Sequence, residues 1–141
     1  MLLIDEGKMS TGTYEEPLSC GGKLKVTKSS WEISYYFCGP DMRYKGEFFS
    51  IPGSLIENYI SALNENWSEF EKLKSVIPNG GDFSKPGKME MNIRVGHFAQ
   101  GVCIHSNHMP ICSKQQLEEV INAYRYASKR APQIQSFLAS L

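Results

Sequence analysis

The chain has 141 residues, 41% of them hydrophobic and 11% aromatic, a composition that excludes a disordered chain and fits one folded domain. Its 15 basic and 15 acidic side chains cancel, so no overall field favours nucleic acid, whose affinity comes mainly from neutralised phosphates. The opening MLLIDEGKMSTG lacks a signal-peptide core, and no stretch approaches the ~20 apolar residues that span a membrane; a cytoplasmic chain with no membrane partner is expected. The charge is uneven, however. Residues 1–80 hold 11 acids against 8 bases and residues 81–141 hold 4 against 7.

Near the start, KLKVT alternates at Leu24 and Val26, and WEISYYFC alternates at Trp31, Ile33, Tyr35 and Phe37. Two strands joined by a Lys-Ser-Ser turn follow, with a third around Met42 to Phe48 after Gly39-Pro40. From Ser54, apolar residues recur at Ile56, Tyr59, Ile60, Leu63, Trp67, Phe70 and Ile77, a stripe that predicts a helix over 54–76. Ser54 as N-cap and Glu57 form a capping box, and Pro78 stops the helix. PNGGDFSKPG, residues 78–87, reads as a loop.

KMEMNIRV then alternates, Met89, Met91, Ile93 and Val95 facing one way, and Val102 and Ile104 resume the pattern after a turn at Ala99 to Gly101. A hairpin over 88–105 is expected. The second helix starts with Ser113 as cap and Gln116 at its third position and continues through Leu117, Val120, Ile121, Tyr124 and Ala127. Pro132 predicts a kink or a break before a last segment carrying Ile134, Phe137 and Leu138. The expected fold is α+β: a single domain over 1–141, an antiparallel sheet of about five strands, and two main helices packed on one face, in the order β-β-(β)-α-β-β-α.

The segment GVCIHSNHMPICS gathers Cys103, His105, His108 and Cys112, residue types that ligate zinc, but without the C-x-x-C or H-x-x-x-H pairs of structural sites or a second, distant arm. As a catalytic pair, Cys103 and His105 stand about 7 Å apart along a strand, too far for a hydrogen bond. The simpler reading makes SNHMP a turn into the Ser113 cap, and no metal or cofactor is expected. Cys20, Cys38, Cys103 and Cys112 form no C-x-x-C pair, so free thiols are expected in a reducing compartment. Phosphate-binding glycine loops and hydrolase motifs are absent from the sequence. Trp31, Tyr35, Tyr36 and Phe37 resemble a base-stacking platform only in part, because no Lys or Arg interleaves with them.

Opposite its apolar stripe, the first helix carries Glu57, Asn64, Glu65, Ser68, Glu69 and Lys72. Such a strip is an ordinary solvated face, or the surface of a protein whose partner is a basic, nucleic-acid-binding enzyme, since carboxylates steer encounter with it.

The ending LEEVINAYRYASKRAPQIQSFL, with the preceding KMEMNIRVGHFAQGVCI and YISALNENWSEFEKL, resembles the small bacterial immunity proteins that neutralise contact-dependent growth inhibition and other polymorphic toxins. The resemblance covers roughly residues 53 to 141 and rests on size and α+β style. It implies stoichiometric binding of a cognate protein toxin domain, often a nuclease, without catalysis and without direct contact to nucleic acid. On that reading Glu57, Glu65, Glu69 and Asp82 are the toxin's charge partners, and Tyr36 or Tyr126 supplies an aromatic anchor. Two other readings stay open: a small metal-dependent or Cys/His enzyme at residues 103–112, and a nucleic-acid-associated adaptor using Arg125, Lys129 and Arg130.

Overall fold

The computed structural model describes residues 8–10, 12–38, 45–77, 81–96, 103–105 and 110–141. The class is α+β with antiparallel strands throughout. The chain divides into two compact units: Met1–Ile56 with Glu119–Leu141, and Glu57–Glu118. Among the described residues the strands form two sheets, five-stranded before the first helix and four-stranded after it. Each sheet is built from neighbouring hairpins, and the long helix between them interrupts the local pairing.

In the first unit β1 (Lys8–Ser10), β2 (Thr13–Pro17), β3 (Lys23–Val26), β4 (Trp31–Cys38) and β5 (Lys45–Pro52) pair in chain order. Alternation sends Leu24, Val26, Ile33, Tyr35 and Ile51 inward, all buried. The Lys28–Ser30 turn is closed by Thr27 and Ser30, whose main chains bond at 2.8 Å. β1 and β2 were not expected, for a physical reason: in TYEEP the inward positions are Tyr14 and Glu16, and a buried carboxylate breaks the hydrophobic alternation that marks a strand. Between Tyr35 and Tyr36 the β4–β5 register slips by one residue, the signature of a β-bulge.

The second unit holds α1 (Ile56–Val76), which begins one residue before it, then β6 (Phe83–Pro86), β7 (Asn92–Val95), β8 (Cys103–His105) and β9 (Pro110–Ile111). α1 ends where expected, but a 3₁₀ turn at Gly53–Leu55 precedes it and no side chain caps that turn. Ser54 lies inside the turn and makes no cap, so the expected Ser54/Glu57 box does not form. β6 occupies part of the expected 78–87 loop; residues 78–80 lie outside the described residues. Its side chains are mostly exposed and it closes on Pro86, as befits an edge strand. The hairpin of β7 and β8 forms, with Ile93 opposite Ile104 and Asn92 opposite His105, while its turn, with Val102, lies outside the described residues. Its first strand is shorter than KMEMNIRV suggested. Lys88–Glu90 make a 3₁₀ turn with positive φ at Met89 and Glu90, and Met89 is 38% exposed where Met91 is 1%.

α2 (Lys114–Ala139) starts as its sequence predicts, with Ser113 Oγ accepting from the Gln116 amide at 3.1 Å. The Gln116 side chain reaches one residue further back than a standard capping box. Its Oε1 accepts from the Cys112 amide at 3.0 Å and its Nε2 donates to the Pro110 carbonyl at 2.8 Å, which ties β9 to the helix start. Pro132 lies inside the helix and does not end it. It sits on the exposed side, so the main-chain bond it cannot make is lost where water replaces it. From Glu119 onward α2 belongs to the first unit, where Tyr124 meets Tyr35 hydroxyl to hydroxyl at 2.6 Å in the core. Desolvation, with Tyr124 and Cys20 alongside, holds the Tyr35 phenol well above its ordinary pKa.

The caps give a direct test. Ser113→Ala should lower stability by about 1 kcal/mol in urea unfolding, whereas Ser54→Ala should change it by less than about 0.5 kcal/mol, as at an exposed position without a role.

Candidate protein-binding surface

The outer face of α1 presents Glu57, Asn58, Ser61, Asn64, Glu65, Ser68 and Lys72 to solvent. Two of the expected carboxylates on it are ion-paired within the same unit. Glu65 Oε2 meets Lys88 Nζ at 2.8 Å, and Glu69 Oε1 meets Lys85 Nζ at 3.1 Å. Exposed pairs of this kind contribute ~1 kcal/mol at most. Glu57, in the first turn where the helix dipole favours an anion, has no side-chain partner among the described residues. Asp82 is exposed beside Gly96, whose φ of 145° favours glycine and where a Cβ would overlap the Asp82 carboxylate. The strip is therefore less acidic than its sequence suggested, since Lys85 and Lys88 come to it from β6 and the turn after it.

The same turn is held from below by Asn66, which sequence reasoning missed. Asn66 lies on the apolar side of α1 and is 2% exposed. Its Oδ1 accepts from the Lys88 amide at 2.8 Å and its Nδ2 donates to the Lys88 carbonyl at 3.2 Å, with Met91 Sδ 3.5 Å away. One side chain thus satisfies both main-chain groups of one residue. The close approach requires Gly87, where a Cβ would stand 2.8 Å from Asn66 Oδ1. Gly87 N also donates to Met91 O at 2.6 Å, closing Gly87–Met91 into a loop. A buried asparagine in an otherwise apolar helical stripe was the available signal, because such a group needs partners.

The two aromatic candidates lie in the first unit. Tyr36 is half-buried on the outer sheet face, with Lys23 Nζ at 5.2 Å and Lys25 Nζ at 5.9 Å from its ring centre. The cations missing from the linear pattern come from the neighbouring strand, and they cover the ring. Tyr126 is 45% exposed. Its hydroxyl donates to Glu16 Oε2, while Tyr14 donates to Glu16 Oε1 at 2.5 Å and Arg130 Nε lies 3.4 Å from that oxygen. This buried carboxylate, 2% exposed, is the unexpected centre of the unit. It also engages Arg130, so of the basic trio Arg125 and Lys129 are exposed and Arg130 is half-buried. Burial, then the bond to Glu16, pushes the Tyr14 and Tyr126 phenols up to about 12.

Of the Cys/His cluster, His108 and the side chains of Cys103 and His105 lie outside the described residues. Cys112 is a free, half-buried thiol, as is Cys20. Cys112 lines a cleft of about 620 Å³ with Trp67, Phe70, Glu71, Lys74 and Lys114, in which Trp67 Nε1 donates to Glu71 at 2.6 Å. Among the described residues no group of three or more His, Cys, Asp or Glu is placed to hold a metal ion, and no helix is long and apolar enough to cross a membrane. Compared with protein-family models, with curated proteins and with solved structures, the chain matches none.

Two outcomes are expected. Asn66→Ala should lower stability by about 1–3 kcal/mol, read by urea unfolding, because the Lys88 amide and carbonyl lose their buried partner. Stability should also fall as pH rises from about 10, where the unfolded phenols ionise, to about 12, where Tyr14 and Tyr126 do so in the fold. In that window the folded chain keeps protons the unfolded chain has lost, so the slope is negative. The double variant Tyr14→Phe/Tyr126→Phe should unfold with a shallower alkaline slope.

Proposed function

We propose that this chain is an immunity protein. It binds a cognate toxin domain in the cytoplasm of the producing cell, one to one and without chemistry, and the toxin is a basic enzyme, such as a nuclease. The resemblance over residues 53 to 141 motivates the reading, and one observation supports it best: the exposed strip of α1, where Glu57 faces solvent and Glu65 and Glu69 stand on the same helix, paired only at the surface with Lys88 and Lys85. Exposed pairs are weak enough to exchange, so a cationic toxin surface is steered to these carboxylates and can replace the two lysines. Glu57, Glu65 and Glu69 then act as charge partners, with Asp82 at the edge of the same unit. Tyr126, whose ring is open to solvent, suits an aromatic contact better than Tyr36, which two lysines cover.

The reading expects the adjacent gene to encode a toxin domain; the test is co-purification with that domain, followed by binding kinetics. The wild-type chain should form a one-to-one complex whose association slows with added salt. The double variant Glu65→Lys/Glu69→Lys, folded by circular dichroism, should associate about tenfold more slowly at low salt. Unchanged kinetics would remove this face from the interface, and absence of a complex would remove the immunity reading.

A further inference from the structure

The Gly87–Met91 loop places two successive residues other than glycine in the left-handed region, Met89 at φ 54° and Glu90 at φ 62°. That conformation crowds the Cβ of any L-residue, and glycine or asparagine adopts it with less strain. Both residues are exposed, Met89 to 38%, and neither has a polar partner or ion pair among the described residues. The loop thus accepts strain at the two positions where a connector between β6 and β7 gains nothing from a side chain.

What keeps the strained shape lies underneath. Asn66 grips the Lys88 amide and carbonyl, and Gly87 N closes on Met91 O. Strain held in place by buried supports is a mark of functional segments, where a shape needed on binding is built beforehand. The chemistry at the tip is specific. Methionine is unbranched and polarizable and fits apolar pockets of irregular shape. Beside it, the Glu90 carboxylate has no ion pair among the described residues, whereas the neighbouring lysines at 85 and 88 are paired.

We propose that Met89 is the apolar anchor of the toxin interface, carried with Glu90 into an apolar pocket of the toxin domain edged by lysine or arginine. This rests on the immunity reading and adds the contact that holds the complex once charges have steered it together. A loop fixed before binding places the anchor's contribution in the dissociation rate.

The experiment measures affinity and dissociation of the purified toxin domain from the neighbouring gene with the full-length chain and three variants, each also unfolded in urea. Met89→Asp should weaken binding by about thirtyfold or more, mainly through faster dissociation, and Met89→Leu by less than about fivefold. Met89→Gly separates function from structure. Glycine relieves the strained φ, so the urea midpoint should rise while affinity still falls by at least about tenfold. A merely structural role would move stability and affinity together. Should Met89→Asp fail to fold, Met89→Gly decides alone, since its backbone suits the loop. Wild-type affinity in Met89→Asp, or in Met89→Gly, overturns the anchor and leaves the immunity reading standing. A wild-type chain that does not bind the domain at all overturns both.

Discussion

The second unit depends on a single amide. Asn66 sits in the buried stripe of α1, and there a carboxamide without partners would cost several kcal/mol relative to an apolar residue. Its partners are the two main-chain groups of Lys88, a residue 22 positions away in sequence. That pairing fixes where the chain leaves β6, and with it the turn at Lys88–Glu90 and the entry into β7. It also brings Lys88 over Glu65, close to the Glu69–Lys85 pair. The exposed ion pairs contribute little by themselves. They are consequences of the buried amide.

The first unit is organised around a buried polar group too, this time charged. Glu16 on β2 takes two phenols and a guanidinium, and three of the four residues in that cluster are Tyr14, Tyr126 and Arg130 from opposite ends of the chain. Breaking a buried ion pair by removing one member leaves an uncompensated charge, so the network ties the C-terminal half of α2 to the first sheet more strictly than apolar contacts do. In both units a helix and a sheet remote in sequence are joined by polar groups with few alternative partners. α1 follows the first sheet yet bonds to the turn between β6 and β7, and α2 follows the second sheet yet bonds to β2 and β4.

Much of the fold was legible. The stripe at Ile56, Tyr59, Ile60, Leu63, Trp67 and Phe70 specified α1, Ser113 and Gln116 specified the start of α2, and the alternations at 23–26, 31–38 and 92–95 specified β3, β4 and β7. The failures have separate causes. β2 was hidden because its inward residue is Glu16, β6 because an edge strand of exposed residues has no alternation, and the turn at Lys88–Glu90 was mistaken for strand because polar and apolar residues alternate there without a pleated backbone. The candidate surface was legible in composition and not in pairing. Glu57, Glu65 and Glu69 were readable as one strip, but Lys85 and Lys88 reach it only through the fold, and the lysines over Tyr36 come from an adjacent strand. Asn66 was visible as a polar residue in an apolar stripe, and its partner lay in a segment that pattern assigned to β structure.

The loop at Met89 and Glu90 has its left-handed shape in the free chain, supported by Asn66. Scalar couplings and amide exchange measured by NMR on the unbound protein test this most directly. One conformer with positive φ at both residues and a Lys88 amide protected from exchange is the predicted result. Couplings averaged over several conformers, with the Lys88 amide exchanging as fast as in an unstructured peptide, would contradict it.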